Sequence, residues 1–209
     1  ADVSFIARLG NDVFGRRAHA KLVEAGIDCT GVSYSSRATG VALIAVDQHG
    51  QNQISVAPGA NDELSASLVG SLAPHIAGSK VLVVQLESPL ESTIAALEIA
   101  RSAGVVTILN PAPVCSLPKH VPGLVDILVA NEVEAEALVG QPVRTVPEVR
   151  RALDALLTLG YAKPVITLGR RGVMYRADGR LGRVKALSVT SVDATAAGDT
   201  FVGYLAAGI

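Results

Sequence analysis

Cysteine, histidine and aromatic residues are scarce in this sequence, and each shortage excludes a class of protein. The 209 residues contain two Cys, four His, four Tyr, three Phe and no Trp. Cys29 and Cys115 cannot form a disulfide framework, and the scattered histidines lack the spacing of metal ligands. So few aromatic side chains leave no stacking platform for single-stranded nucleic acid. The cysteine content is most simply interpreted as that of a reduced, cytoplasmic protein.

Excess charge of one sign and long hydrophobic runs are also missing. Eighteen Lys and Arg residues against 19 Asp and Glu residues give a formal net charge of −1, which argues against a basic surface for nucleic acid and against an acidic tail. No apolar stretch approaches the roughly 20 residues needed to cross a bilayer, so no membrane partner is expected. Hydrophobic residues make up 49% and charged residues 18%, a composition that predicts a folded core.

The length and the order of sequence patterns favour one α/β domain over residues 1–209. Short β-branched runs alternate with helical stretches, which predicts βαβ units and a parallel sheet covered on both faces. The strand patterns lie at residues 4–7, 80–85, 105–109, 126–130 and 165–168, and the helical patterns lie at 11–26, 88–103, 131–139 and 147–159.

Two regions interrupt this alternation with consecutive strand patterns. Strands that follow one another after a short turn pair antiparallel, so each region predicts a small sheet excursion. We expect the first region, residues 31–57, to be a lid or an oligomer contact. Its strand patterns centre on 32–34, 40–46 and 53–57 with a turn at 47–50, and the second region, 173–192, has a hairpin turn at Asp178-Gly179.

The strongest motif is Asp-Ala-Thr-Ala-Ala-Gly-Asp at residues 193–199, where an extended run opens an apolar helix. The backbone N–H groups of residues 196–198 would point at one spot with the helix dipole behind them, which predicts an anion site. Asp199 would lie beside the anion as a base for a hydroxyl that attacks a phosphoryl group. Alternatively, Asp199 only complements the helix dipole after a plain tight turn. Asp193 and Thr195 fit a cation site or a turn cap equally well.

A second motif, Asn-Glu-Val-Glu, begins at Asn131 directly after a strand pattern. In α/β sheets ligands bind where strands end and helices begin. Asn131 and Glu134 would lie on one helix face and could hold a hydrated Mg²⁺, which prefers one or two carboxylates together with water and phosphate oxygens. The same Asn-x-x-Glu spacing is also an ordinary helix N-cap pattern, and in isolation that interpretation is the stronger one.

Two weaker motifs follow other strand patterns. Thr-Leu-Gly-Arg-Arg-Gly at residues 167–172 has two glycines three residues apart, which fits a turn whose amides meet phosphates or a plain hairpin turn. Arg170 and Arg171 add positive charge there or are only solvated. Glu87 follows the strand pattern at 80–85, where it could bind hydroxyls of a polar substrate or be a surface carboxylate near the next helix.

Seven stretches together resemble the ribokinase-like, or pfkB, carbohydrate kinases. They occur in order over nearly the whole chain, with little sign of insertion, and as a set they are very specific. The stretches are Thr-Gly-Val-Ala-Leu-Ile at 39–44, Pro-Gly-Ala-Asn at 58–61, Gln-Leu-Glu-Ser-Pro-Leu-Glu-Ser at 85–92, Asn-Pro-Ala-Pro at 110–113, Asn-Glu-Val-Glu at 131–134, Ile-Thr-Leu-Gly at 166–169 and residues 193–201.

The resemblance implies a fold and an activity. The fold is a three-layer α/β/α sandwich with a mostly parallel central sheet and a small antiparallel β lid at residues 31–57. The activity is ATP-dependent phosphorylation of D-ribose at its 5-hydroxyl, because the stretches at 85–92 and 110–113 resemble the ribose-specific members more than fructokinases or adenosine kinases. Another sugar or nucleoside, such as deoxyribose or fructose, is the alternative substrate. The resemblance also implies ATP, Mg²⁺ and a monovalent cation, K⁺, as cofactors, and a homodimer formed through the lid.

The resemblance implies a role for each matching position. It implies that Asp199 is the catalytic base and also binds the sugar hydroxyl. The other positions fall into five groups: an anion hole at Ala196, Ala197 and Gly198; magnesium and phosphate at Asn131 and Glu134; nucleotide phosphate at Thr167, Gly169, Gly172 and again Gly198; the monovalent cation at Asp193 and Thr195; and the sugar at Glu87 and at the lid residues Ala42, Ile44 and Val56.

The chain also departs from the family pattern. Family members carry an upstream strand with a sugar-binding Asp and a Gly-Gly-Lys-Gly-Ala-Asn-like segment, and downstream helices and loops that complete the adenine pocket and cation site. The 209 residues contain neither part, so we expect a piece of a complete kinase or a truncated protein. A truncated protein would be a non-catalytic remnant that binds a nucleotide or a partner. Ala130 and Ala194 stand where the family usually has Pro and Thr.

Overall fold

The computed structural model describes residues 1–46, 52–189 and 195–209. The described chain divides into two compact units. Unit 1 comprises Ala1–His75 and Glu87–Ala96, and unit 2 comprises Ile76–Leu86 and Leu97–Ile209. Within these ranges no helix is long and apolar enough to span a membrane.

Unit 1, over its described residues, contains two small sheets. One is a parallel pair of strands, and the other is an antiparallel pair in the region where the sequence predicts a lid, called the lid below. The elements are β1 (Ala7–Gly10), α1 (Val13–Glu24), β2 (Val32–Ser35), β3 (Val41–Val46), β4 (Asn52–Ala57), α2 (Ala66–Ser71) and α3 (Ala73–Ala77), the last of which continues into unit 2.

The start of unit 1 differs from the sequence-based prediction in two ways. The first strand, β1, lies at Ala7–Gly10 instead of residues 4–7, and Ser4 forms only an isolated bridge. The strand pattern at 32–34 was expected to pair antiparallel with its neighbour, but β2 pairs parallel with β1. The reason is α1, which lies between β1 and β2 and makes the crossover that parallel pairing requires.

The lid consists of β3 and β4, and its antiparallel pairing confirms the prediction. Ala42 lies opposite Val56, and Leu43 lies opposite Ser55. Because successive residues of a strand point to opposite faces, Ala42 and Val56 share one face of the lid and Leu43 lies on the other. Leu43 and Val56 are 72% and 67% exposed, so both faces present apolar surface. The turn expected at residues 47–50 lies outside the described residues.

The base of the lid is joined to the start of α1 by the Asp12 carboxylate. One oxygen, Oδ1, accepts from the Gly15 N–H at 2.8 Å and from Thr39 Oγ1 at 2.7 Å, and Oδ2 accepts from the Thr39 N–H at 2.7 Å. These donors, the two backbone N–H groups first, lower the pKa of Asp12 to about 2. Asp12 is therefore the N-cap of α1, whose first residue is Val13.

Unit 2, within its described residues, is built on a six-stranded sheet of order β10-β9-β8-β7-β6-β5. The strands β5 to β8 pair parallel, and β9 and β10 form the antiparallel hairpin predicted around Asp178-Gly179. The strands are β5 (Val81–Val84), β6 (Val106–Leu109), β7 (Ile127–Asn131), β8 (Lys163–Thr167), β9 (Val173–Ala177) and β10 (Arg180–Val184), and the helices, the first of which starts in unit 1, are α4 (Leu90–Ala103), α5 (Glu132–Val139), α6 (Val146–Thr158) and α7 (Ala197–Ala207).

The central strands of this sheet are buried on both faces. Ile108, Val129 and Val202 form one cluster, so α7 packs on the face that carries Ile108 and Val129. Leu109 and Leu128 alternate to the opposite face and are also fully buried. Helix layers on both sides of a mostly parallel sheet are the arrangement that the sequence predicted, and they place the carboxyl ends of four parallel strands along one edge.

Candidate active site

The carboxyl edge of the unit 2 sheet carries a polar residue at each parallel strand. Gln85 follows β5, Asn110 follows β6, Asn131 ends β7 and Thr167 ends β8. Because the strands are neighbours in the order β5, β6, β7 and β8, these four residues form a row along the edge. This edge is where α/β sheets bind ligands.

The first turn of α7 belongs to the motif in which the sequence predicts an anion site. Ala196, its N-cap, lies in the left-handed region with φ 57° and makes no side-chain cap. The carbonyl of Ala196 accepts from the N–H of Thr200 at 2.9 Å and from its Oγ1 at 2.8 Å, which fixes the turn. The first N–H groups of a helix, here those of Ala197, Gly198 and Asp199, have no partner inside the helix and carry its positive end. Small side chains at 196–198 leave these groups accessible to a phosphate.

Asp199 in this first turn is linked to the carboxyl edge of the sheet by two side-chain amides. Gln85 Nε2 donates to Asp199 Oδ1 at 3.2 Å and to Asn110 Oδ1 at 3.4 Å. Asn110 Nδ2 in turn donates to the carbonyl of Val129 at 2.9 Å and to Glu134 Oε2 at 3.4 Å. The structure therefore brings together two of the predicted residues, Asp199 and Glu134, which are 65 positions apart in the sequence.

Asn131 and Glu134 form the N-terminal cap of α5. Asn131 Oδ1 accepts from the Glu134 N–H at 2.8 Å, and Glu134 Oε2 accepts from the Asn131 N–H at 2.9 Å, so both halves of a capping box are present. Asn131 Nδ2 also donates to Glu134 Oε1 at 2.7 Å. The capping interpretation of this motif is confirmed, and the same contacts hold the Glu134 carboxylate in place at the end of β7.

Burial raises the pKa of the Glu134 carboxyl above its ordinary value, and the negative charge of Asp199 raises it further. Hydrogen bonds from Asn131 and Asn110 oppose this rise. Two carboxylates that repel each other beside amide oxygens are a donor set that suits Mg²⁺, because a divalent cation relieves the repulsion. In the described ranges no three His, Cys, Asp or Glu side chains gather into a ligand cluster, so water and phosphate oxygens would complete the shell.

The turn after β8 brings the glycines of the third motif next to Asn131. Thr167 is the register partner of Asn131, so this turn and the α5 cap are neighbours. Gly169 and Gly172 have φ values of 53° and 91°, and the Leu168 N–H donates to the Gly172 carbonyl at 2.8 Å. A Cβ on Gly172 would approach the carbonyl oxygen of Val184 to 2.0 Å, so the residue must be glycine for steric and conformational reasons.

Arg171, which the sequence left as either a charge contribution or a solvated side chain, fixes this turn. Its Nη2 pairs with Glu132 in the first turn of α5, and its Nη1 donates to the carbonyl of Arg144 at 2.7 Å. Arg170 in the same turn is exposed. The ion pair therefore connects the glycine turn to α5, the helix that Asn131 caps.

Five of the remaining predicted site residues lie within the described part of the chain. Asp193 lies outside the described residues, and Thr195 lies in a turn just before α7. Glu87 is an exposed residue of unit 1 in the bend after β5, and Ala42, Ile44 and Val56 lie on the lid strands of unit 1.

Sequence reasoning assigned no role to Gln85 and Asn110, which join Asp199 to Glu134. A signal was available, because Gln85 ends the strand pattern at 80–85, Asn110 directly follows the pattern at 105–109, and strand ends of a parallel sheet meet at one edge.

Comparison with known proteins now identifies the family. The family described as pfkB family carbohydrate kinase matches residues 1–209. The chain belongs to this family. Its carbohydrate-kinase relatives include the ribokinases of Staphylococcus aureus and Haemophilus influenzae, which are 37% and 38% identical over 204 residues, and the deoxyribokinase of Salmonella typhimurium, which is 32% identical over 206.

Solved ribokinase-like structures have the same fold. A ribokinase from Thermotoga maritima superposes with a TM-score of 0.83 at 33% identity and covers 96% of this chain and 65% of its own. The Arabidopsis thaliana ribokinase complexed with ribose and ATP superposes with a TM-score of 0.85 at 26% identity, covering 96% and 67%. The predicted ribokinase-like fold is thus confirmed. The chain, 97% of which aligns with the two bacterial ribokinases, spans about two thirds of their length, at 67% of each.

Proposed function

We propose that the complete protein is an ATP-dependent ribokinase, which transfers the γ-phosphoryl group of ATP to the 5-hydroxyl of D-ribose and forms ribose 5-phosphate and ADP. The observation that carries this proposal is the position of Asp199, which lies in the first turn of α7 and contacts Gln85 at the carboxyl edge of the sheet. The sugar is supported by the similarity to proteins named ribokinase, at 37% and 38% identity.

The geometry supports a mechanism in which α7 provides both the general base and the anion site. Asp199 accepts the proton of the sugar hydroxyl as its oxygen attacks the γ-phosphorus in line. The N–H groups of Ala197 and Gly198, with Ala196 holding the turn, face the negative charge of the transferring group. One donor of this kind is worth roughly 3 kcal/mol in the transition state, so a cluster of amides is a major contribution.

The nucleotide and its metal are assigned to the neighbouring strand ends. Asn131 and Glu134 would hold Mg²⁺ through water, and the metal supplies neutralisation of phosphate charge. Thr167, Gly169 and Gly172 are assigned to phosphate contacts because their turn lies beside Asn131 in the sheet register. Gly198 is assigned to the same contacts because it lies in the first turn of α7. Phosphoryl transfer depends mostly on positioning and charge stabilisation, and these residues serve both.

The further assignments rest on the resemblance. Asp193 and Thr195 are proposed for a monovalent cation, K⁺, and Glu87, Ala42, Ile44 and Val56 for the sugar. Residues 1–209 are proposed to belong to a single ribokinase-like domain whose lid is β3 and β4, within the region 31–57 expected from the sequence, in a cytoplasmic protein.

A homodimer formed through the lid is also proposed. It is supported by the second apolar face of β3 and β4, which carries Leu43 and is separate from the face with Ala42 and Val56.

Deoxyribose is the second candidate substrate, because the Salmonella deoxyribokinase is 32% identical to this chain. A substrate panel of D-ribose, 2-deoxy-D-ribose, D-fructose and adenosine, assayed by ADP release from the complete protein, separates the candidates. We expect the highest kcat/KM with ribose and a phosphate on its 5-oxygen by ³¹P NMR. If kcat/KM is highest with deoxyribose, deoxyribose is the substrate. If none of the four compounds causes ADP release, the kinase proposal is overturned.

The matched variant for this assay is Asp199→Asn. Loss of a general base lowers turnover by about 10²- to 10⁴-fold, while binding of ATP, which uses other groups, is retained. Turnover is followed by ADP release and ATP binding by calorimetry. Near-normal turnover of this variant would show that Asp199 is not the base.

A further inference from the structure

Two amides, Gln85 and Asn110, lie between the proposed base and the proposed metal ligand. Neither has a role in the chemistry described above. Gln85 contacts Asp199 Oδ1, Asn110 contacts Glu134 Oε2, and the two amides contact each other. The row thus joins α7 to α5 through side chains that extend from the ends of β5 and β6.

The hydrogen bonds that the two side-chain amides donate determine how each amide is oriented. An amide nitrogen carries two hydrogens, and its oxygen only accepts. Both hydrogens of Asn110 Nδ2 are used by oxygens, those of Val129 and Glu134, so the Oδ1 atom of Asn110 is left to face Gln85. That oxygen accepts one hydrogen of Gln85 Nε2, and the other hydrogen is donated to Asp199.

The fixed point of this row is the main chain of β7. Asn110 Nδ2 donates to the Val129 carbonyl at 2.9 Å, the shortest contact of the row, and Val129 is 2% exposed. The Asn110 N–H also donates to the carbonyl of Val84 at 3.0 Å, so the residue is held by strands on both sides. The buried main chain therefore fixes the orientation of Asn110. Asn110 in turn orients the Gln85 amide, which orients the Asp199 carboxylate.

On the basis of the proposed function, we propose that Gln85 and Asn110 are positioning residues for the base. Gln85 holds Oδ1 of Asp199 by hydrogen bonding, so that Oδ2 is the oxygen presented to the sugar hydroxyl. Asn110 acts one step further away by fixing the amide of Gln85. A carboxylate held in one orientation reacts faster than one that rotates, because the attacking group must be aligned within a fraction of an ångström.

Kinetics of the complete protein test the first step with Gln85→Met, which keeps the length of the side chain and removes its donors. We expect kcat with ribose to fall about 10-fold while the KM for ATP stays within two-fold, because the bond acts on the base and not on the nucleotide. Gln141→Met, an exposed amide of unit 2 outside the row, is the control and should match the wild type. Unchanged kcat in Gln85→Met would overturn the proposal.

Non-additivity separates a positioning role from a structural one. In the Asp199→Asn background, Gln85→Met should cause less than a two-fold further loss, because the group that it positions is already disabled. An equal 10-fold loss in both backgrounds would show that Gln85 acts by another route.

The second step has a readout that does not depend on activity. The side-chain NH₂ signals of Gln85, assigned with Gln85→Met in ¹⁵N-labelled protein, should shift in Asp199→Ala and in Asn110→Ser, and stay in place in Gln141→Met. Signals that move in neither variant would overturn the row of contacts itself. Absence of sugar kinase activity in the wild type, with the NMR shifts present, would instead refute the proposed function and leave the positioning contacts standing.

Discussion

At the scale of single residues, Glu134 is the group whose environment has the clearest consequence. Its two carboxylate oxygens are held by Asn131, and burial together with the charge of Asp199 raises its pKa. A raised pKa means that the folded state binds the proton more tightly than the unfolded state does. The ionised form of Glu134 therefore lowers stability at neutral pH, which is the disadvantage that a bound cation would remove.

This gives a pH-dependent prediction for Glu134→Gln. A carboxyl whose pKa is raised by folding stabilises the folded state at pH values below its pKa in the unfolded state. This contribution is lost as the pH rises through its pKa in the folded state. The melting temperature of the wild type relative to Glu134→Gln should therefore be higher near pH 4 than at pH 7. Differential scanning calorimetry across this range measures the difference. A difference that stays constant with pH would show that Glu134 titrates alike in both states.

At the scale of elements, the glycine turn between β8 and β9 allows a matched comparison. Gly169 and Gly172 both have positive φ, but only Gly172 is crossed closely by another part of the chain, at Val184. Gly169→Ala should cost about 1 kcal/mol for the left-handed conformation alone. Gly172→Ala should cost about 3 kcal/mol or more, because β10 must also move. Urea unfolding of both variants measures the two costs, and equal losses would contradict the crossing.

The elements also show what the sequence could predict. The patterns for α5 and α6 and the turn of the β9–β10 hairpin were placed within about two residues, because signals such as the Asn131 cap and the Asp178-Gly179 turn mark them locally. The predicted hairpin region, 173–192, extended further than the hairpin, which ends at Val184. The first strand was misplaced by three residues, since nothing local distinguishes residues 4–7 from β1. Its pairing with β2 depends on the crossover through α1, which is a tertiary feature.

The candidate site was predictable to a similar degree. Asp199, Asn131 and Glu134 were predicted as site residues because each belongs to a motif at a helix start. Gln85 and Asn110 were not assigned a role, because their function depends on which strands are neighbours and not on the residues next to them in the chain. Sequence patterns identify strand ends, but only the order β7-β6-β5 places these two amides between Asp199 and Glu134.

At the scale of the whole molecule, the two lid faces predict separable effects. Leu43→Asp changes the face proposed for a partner subunit, so the complete protein should become monomeric in analytical ultracentrifugation with its KM for ribose nearly unchanged. Val56→Asp changes the face shared with Ala42, so the KM for ribose should rise at least 10-fold with the dimer retained, because a carboxylate replaces an apolar contact. Loss of the dimer in Val56→Asp and not in Leu43→Asp would reverse the assignment of the faces.

The strand order of unit 2 has a consequence for how this part of the protein is made. From β5 to β10 every strand of the sheet pairs with the strand that follows it in the sequence. Contacts between successive segments close short loops, which lowers the entropy cost of folding and speeds it. Such a sheet can grow at one edge, one strand at a time, in the order in which a ribosome releases the chain. Within the described residues, α7 packs back on β6 and β7 through Val202, so Asp199 in its first turn joins a sheet whose strands all precede it in the chain.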